Sequence, residues 1–367
     1  MKLTHWTFFL LIISFLLGAR EKVESPNVLS SYFIEGLSES TMNQVSDRFE
    51  IVRRLSGGFV VYVPQDKRYE FLTLAPRARL MEDDISQELK RNLWSNPDYL
   101  QGYRSYDEIE KYLKNLEENH PDIVKLETYG KSRQGLPLYV FKISDHVKEN
   151  ESDEPNLMID AATHGDEIIT TEVLIRLISE IVDSYGNDRR TTRMVDSTQL
   201  HFIPVVNADG FVSRQRYEGG VDPNRDYPYL TNPNKKSVAC IKAIMDFANS
   251  HALKGSIDLH AYGGMVMYPW AYTYDEIADQ AMKKAFDELT TRMAEINGYS
   301  HGQISKVIYL AKGSSSDYYY WKNKTMAIAA EIADSKAPSS EKIPQYVDDA
   351  REMVFRFIEH FETSPAM

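Results

Sequence analysis

Four short apolar runs in this chain each break off into polar, chemically capable residues. "LMIDAAT" leads to His164 and Glu167, "QLHFIPVV" to "NADG", "GSIDL" to His260 and "TMAIAA" to Glu331. Amphipathic stretches such as "TTEVLIRLISEIVDSYG" and "SVACIKAIMDFANSH" separate them. Near-continuous apolar runs of strand length belong to a sheet covered on both faces. Their alternation with helical stretches predicts an α/β layer structure: a large mixed, mostly parallel twisted sheet flanked by helices. In such a sheet ligands bind outside the carboxyl ends of the strands, where these four polar groups fall.

The remainder of the 367 residues divides around that unit. Residues 1–19 combine Lys2 with an apolar run, Phe8–Leu17, and end in the small residues "LGA". The run is shorter than the ~20 residues of a comfortable span, so a cleaved secretory signal is expected, with an uncleaved membrane anchor as the alternative. Residues 26–84 read as a small α+β module: strand, Gly57-Gly58 turn, alternating strand, short helix and a last short strand at "ARLMEDDI". A polar helical link is expected over 85–102. The large domain is expected over 103–362, opening with a capping box from Ser105 to Glu108. Cys240, the sole cysteine, lies in a helical pattern and reads as a small core side chain, and no intrachain disulfide can form. A net charge of −12 argues against nucleic acid as a partner.

His164, Glu167 and His260 supply two nitrogens and an oxygen, the donor types zinc takes when one position is left for water. The pair spaced as H-x-x-E is a weak signal alone, and a lone histidine at a strand end is more often a satisfied polar residue. Joint occurrence with the other strand-end groups gives the set its weight.

From about Tyr103 to Glu362 the chain resembles the zinc metallocarboxypeptidases related to carboxypeptidases A and B. The resemblance runs through ordered motifs: "YGKSRQGLPLYVFKIS", "HGDE", "NADGF", "VDPNRDYP", "DLHAYGG", "IYLAKGSSSDYYYW" and "AIAAEIAD". It implies one Zn2+ per chain on His164, Glu167 and His260, and Glu331 as general base. Arg216 would steady the oxyanion, with Arg214 as a competitor because the loop is about one residue short of the family pattern. Asn224 and Arg225 would clamp the terminal carboxylate of a peptide, and Tyr309 would close over it. Tyr262 would line the neighbouring subsite, and Ser316 would lie at the base of the pocket for the terminal side chain. Asp258 is either an acceptor behind a ligand histidine or a structural hydrogen-bonding group. Asp166 is expected not to be a fourth ligand and to make outer subsites less welcoming to acidic peptides.

The implied activity is release of C-terminal residues from peptides or proteins by a secreted or periplasmic enzyme. No stable membrane span is expected after signal cleavage. A zinc amidase or peptidoglycan-stem peptidase on the same fold is the near alternative, and an inactive peptide-binding module the distant one. Ser316 commits to no terminal residue; Lys312 and Ser314 are also candidates to reach the pocket, and a lysine there would favour acidic or small polar ends. The N-terminal module loosely resembles a pro-segment and is either inhibitory or a permanent accessory, and Arg53-Arg54 is the dibasic site that stands out within it. His201, His251, His301 and His360 have no motif context and read as structural or surface residues.

Overall fold

A computed structural model of the chain describes residues 28–55, 57–85 and 102–362. The expected signal peptide and all but the ends of the expected helical link lie outside these residues. The N-terminal module is a four-stranded antiparallel sheet, β1 (Leu29–Glu35), β2 (Glu50–Leu55), β3 (Gly58–Pro64) and β4 (Arg79–Glu82), ordered β2-β3-β1-β4. Helices Glu39–Ser46 and Arg68–Leu74 cover one face, burying Val45 and Phe71 against Tyr32, Ile34, Val61 and Val63. Strand β1 and the first helix escape the sequence reading. "ESTMNQVS" buries only Val45, so its apolar period is too thin to register.

The large domain carries eight strands: β5 (Val124–Lys131), β6 (Pro137–Ile143), β7 (Asn156–Ala161), β8 (Gln199–Ile203), β9 (Gly255–His260), β10 (Met265–Tyr268), β11 (Ser300–Gln303) and β12 (Met326–Glu331). Their order is β11-β10-β12-β9-β7-β8-β6-β5. The central run β12-β9-β7-β8 is parallel, and antiparallel pairs join it to the β5–β6 hairpin and to β10. This is the expected mixed, mostly parallel sheet. Ile159 pairs with Ile257, which pairs with Ile328, so one apolar layer crosses three strands. Helices Ile168–Ser184, Ala239–Ser250, Gln280–Ala294 and Ile343–Phe361 supply the covering layers. Side chains such as Leu174, Ile178, Val354 and Ile358 are fully buried, each contributing roughly 1.5–3 kcal/mol. Cys240 is buried in this core. The capping box is present: Ser105 Oγ accepts from the Glu108 amide while the Glu108 carboxylate accepts from the Ser105 amide. Strands β10 and β11, four residues each, lie in stretches the sequence leaves irregular. They are too short to show a period.

His201 on β8 is buried, with Nε2 2.8 Å from Asn156 Oδ1 and its ring against Phe247 and His251. Burial, with help from nearby His251 and Lys142, pushes its pKa down to about 3. The unfolded chain therefore takes up this proton first, near pH 6.5, and stability drains as pH falls from there toward 3. Replacing His201 with Gln should shrink the stability lost between pH 7 and pH 5 by about 2 kcal/mol. Urea titrations of both proteins at the two pH values measure this, and an unchanged difference would contradict it.

Candidate active site

Register places the site. Glu331, the last residue of β12, pairs with His260, the last residue of β9, and Ala161 at the end of β7 pairs with Leu259. Three carboxyl ends therefore finish level, and the loops beyond them meet. The "HGDE" turn is held by Thr170, whose Oγ1 donates to the Glu167 carbonyl at 2.7 Å and accepts from the Ala162 amide at 3.1 Å. Gly165 is required by a close approach: a Cβ there would stand 2.1 Å from the Gly210 carbonyl carbon and 2.2 Å from the Phe211 nitrogen. Gly210 belongs to "NADG", so the two motifs are pressed together backbone to backbone. In that second turn Asn207 accepts from the Gly210 amide at 2.9 Å and donates to the Arg216 carbonyl at 3.2 Å. Asp209 accepts from the Gln134 amide at 3.0 Å and from the Ser132 hydroxyl, tying the β5–β6 hairpin to the same corner.

His164, Glu167 and His260 come together with their donor atoms all within 4.8 Å of one another, and all three are buried. His260 Nδ1 lies 3.2 Å from His164 Nδ1 and 3.1 Å from Glu167 Oε2, and His164 Nδ1 lies 2.8 Å from Glu167 Oε1. Two imidazole nitrogens and a carboxylate converging on one point fit a shared zinc ion. Burial raises the Glu167 pKa, but His164 and His260 outweigh it and hold the carboxyl well below the usual range. Each histidine is oriented from behind: His260 Nε2 lies 3.0 Å from Asp258 Oδ2, and His164 Nε2 lies 3.1 Å from Asp222 Oδ1. Asp258 thus combines both expected parts, since it also accepts from the Ser315 hydroxyl at 2.7 Å. Asp222 is in the quoted "VDPNR" motif, but nothing in the sequence shows that its carboxylate would reach His164.

The cleft beside the zinc site is lined by every residue the sequence singled out for it: Glu331, Arg216, Asn224, Arg225, Tyr262, Tyr309 and Ser316. Burial raises the Glu331 carboxyl to about 7, against the pull of His260. Arg216 donates from Nε to Asp222 at 2.9 Å, and its Nη1 lies 3.5 Å from Glu167 Oε1. Arg214 is not in the cleft. It caps the helix Ala208–Ser213 in the left-handed conformation and stacks on Phe211 at 4.7 Å. Arg225 Nη2 donates to the Tyr309 hydroxyl at 2.8 Å, and Asn224 Oδ1 accepts from the Ser315 amide at 2.9 Å. Beyond Tyr309 the recess is walled by Met267, Ile304, Ile308, Ala311 and Ala329. Ser316 is buried there with no partner for its hydroxyl. Ser314 lines the recess and Lys312 does not. Asp317 faces the other way, accepting from the Ala271 and Tyr272 amides at 2.8 and 2.9 Å.

Two further charged groups reach this cleft, and both lack a sequence signal. Lys336, in the loop after β12, donates to Asp166 at 2.8 Å and also to Glu50. Glu50 is the first residue of β2 in the N-terminal module, and its carboxylate lies 3.6 Å from Arg216 Nη1. Ile51 and Val52 follow it into the cleft lining. Phe59 meets Tyr309 edge to face at 6.3 Å, and Tyr62 lies beside Tyr262. The small module therefore lies across the mouth of the site.

With this geometry in place, comparison with known proteins is direct. A family model described as zinc carboxypeptidase matches residues 109–353, and the chain belongs to that family. A zinc carboxypeptidase from Saccharothrix mutabilis subsp. capreolus is 28% identical over 276 residues, covering 63% of this chain and 62% of that protein. Carboxypeptidase M from Mus musculus is 27% identical over 294 residues, covering 70% and 65%. The chain thus spans less than two thirds of the length of either relative. The crystal structure of carboxypeptidase A from Helicoverpa armigera superposes with a TM-score of 0.75 at 17% identity, covering 92% of this chain and 98% of that one. Coverage that broad takes in the N-terminal module, and the likeness is one of fold. Within this family the His164–Glu167–His260 cluster is the zinc site, one ion per chain.

Replacing Asp222 with Ala should lower zinc affinity by about 10–100-fold, because His164 loses its orienting partner. Competition against a chromogenic chelator measures this. Affinity unchanged from wild type would show that Asp222 does not orient the ligand.

Proposed function

We propose that this chain is an exported zinc carboxypeptidase that removes C-terminal residues with apolar side chains and is held latent by its N-terminal module. One observation carries the reading: Glu331 and the zinc ligands share a cleft with Arg225 and Tyr309, which stand beside an apolar recess. A guanidinium there takes a terminal carboxylate through two parallel hydrogen bonds, which selects chain ends over chain interiors. Asn224 beside it adds an amide, and the Tyr309 hydroxyl, already on Arg225, is placed to join the same carboxylate.

When bound on His164, Glu167 and His260, zinc supplies a Lewis acid and an acidified water at the scissile carbonyl. Glu331, with a pKa of about 7, is suited both to take a proton from that water and to hand one to the leaving amine. Arg216 offers donors toward an oxyanion from a position fixed by Asp222 and by the Asn207 side chain. The apolar walls favour an apolar terminal side chain, and the unpartnered Ser316 hydroxyl accommodates a polar tip. This departs from the expectation of acidic or small polar ends, which rested on Lys312 reaching the pocket. Export rests on the signal-like residues 1–19. Among the described residues no helix is long and apolar enough to cross a membrane.

Substituting Glu331 with Gln should cut kcat by roughly 10²–10⁴ while bound zinc stays at one per chain, measured by release assays alongside metal analysis. Arg216→Ala should cost roughly 10²–10³ in kcat, whereas Arg214→Ala should leave kcat within about threefold. Equal losses in the two arginine variants would remove Arg216 from the oxyanion role. Glu50→Lys places a cation against Lys336 and Arg216, so the full-length variant should cleave peptides faster than the full-length wild type. An unchanged rate would make the module an accessory and not an inhibitor.

A further inference from the structure

Lys336 and Arg216 are both mostly buried, at 17% and 11% side-chain exposure, and the carboxylate set between them comes from another part of the chain. Glu50 is itself only 13% exposed and owes that burial to the docked module. Burial raises its pKa, but Lys336 and Arg216 outweigh this and keep it ionised. The place of Lys336 is fixed independently of the module. Its carbonyl accepts from the Ile169 amide at 3.2 Å, which joins its loop to the start of the helix Ile168–Ser184 beside ligand Glu167. When β2 leaves the cleft, Lys336 keeps Asp166 and loses its second acid, and Arg216 keeps Asp222. A partly desolvated cation that loses one acidic partner favours another carboxylate.

This position is distinct from the terminal-carboxylate clamp. Arg225, Tyr309 and the apolar recess stand together, while Lys336, Asp166 and Glu50 stand by the "HGDE" turn and Arg216. A peptide lying with its last side chain in the recess and its scissile carbonyl at the zinc site carries its preceding residues toward Lys336. We propose that Lys336, backed by Arg216, forms a subsite for an acidic side chain one or two residues before the C-terminal residue, and that Glu50 fills this subsite in the covered form. The inference rests on the peptidase reading above. It reverses the expectation that Asp166 makes the outer cleft unwelcoming to acids, because Lys336 neutralises Asp166 and has capacity for a second carboxylate.

The test uses full-length, zinc-loaded protein carrying Glu50→Lys, alone and combined with Lys336→Met or with Asp166→Asn. Substrates are peptides with one fixed apolar C-terminal residue and Glu, Gln or Lys at the penultimate or antepenultimate position. With Lys336 intact, kcat/KM for Glu should exceed that for Gln by about tenfold at one of the two positions, and Lys should rank last. Lys336→Met should reduce the Glu-over-Gln ratio at least about threefold, and Asp166→Asn, which releases the cation from its resident acid, should widen it. A merely structural lysine would lower all rates together and leave the ratio alone, and that result would overturn the proposal. So would equal rates for Glu and Gln with Lys336 intact. Failure to cleave any peptide with zinc bound would instead sink the peptidase reading itself.

Discussion

Glu331 and His260 are opposite partners in a parallel strand pair, and the site depends on that register. The pair cannot slip without moving its whole apolar set, because both strands are buried on both faces between helix layers. Fixing Ile257 against Ile328 in the core therefore fixes a zinc ligand against a carboxyl group at the rim. The adjoining β7–β9 register does the same for the turn that carries His164 and Glu167. Precision at the site is supplied by hydrophobic packing several residues away, and the loops need only short reaches from rigid ends.

Charge is handled in the site by alternation. Asp258 faces His260, Glu167 lies between the two histidines, Asp222 serves both His164 and Arg216, and Glu50 and Asp166 share Lys336. Each ion alone would be costly to bury, and each here has at least one opposite charge at hydrogen-bonding range. Glu331 stands outside these pairs, with no ion pair among the described residues, and burial moves its pKa upward, whereas the neighbouring cations hold Glu167 and Asp222 down. One alternating chain of charges thus yields both a strongly ionised ligand and a carboxyl group near neutrality.

Among the described side chains, the N-terminal module joins this chain of charges through Glu50. Its own core, Tyr32, Ile34, Val61, Val63 and Phe71, is closed and separate from that of the large domain. What reaches across is the start of β2 with Glu50, together with Phe59 and Tyr62 on the tyrosines of the cleft. Contacts of this kind are polar or edge-on aromatic, so a module that folds on its own core can leave without unfolding the sheet below.

Sequence reading goes furthest where structure is periodic or motif-bound. Apolar runs broken by amphipathic helices defined the layered sheet, and the polar ends of those runs pointed to His164, Glu167, His260 and Glu331. Family motifs added Arg216, Asn224, Arg225, Tyr262, Tyr309 and Ser316, all of which line one cleft. The four-residue strands β10 and β11 stayed hidden, and so did β1, whose run of buried residues shows no alternation. So did every residue whose role depends on a contact between segments distant in sequence: Asp222 behind His164, Glu50 and Lys336 with Asp166, and the exclusion of Lys312 from the recess. Local pattern determines which strands form and which chemistry sits at their ends, because the hydrophobic period and motif spacing are properties of neighbours along the chain. Which carboxylate meets which cation is decided only when the register of the sheet and the docking of the module bring together residues as far apart as 50 and 336.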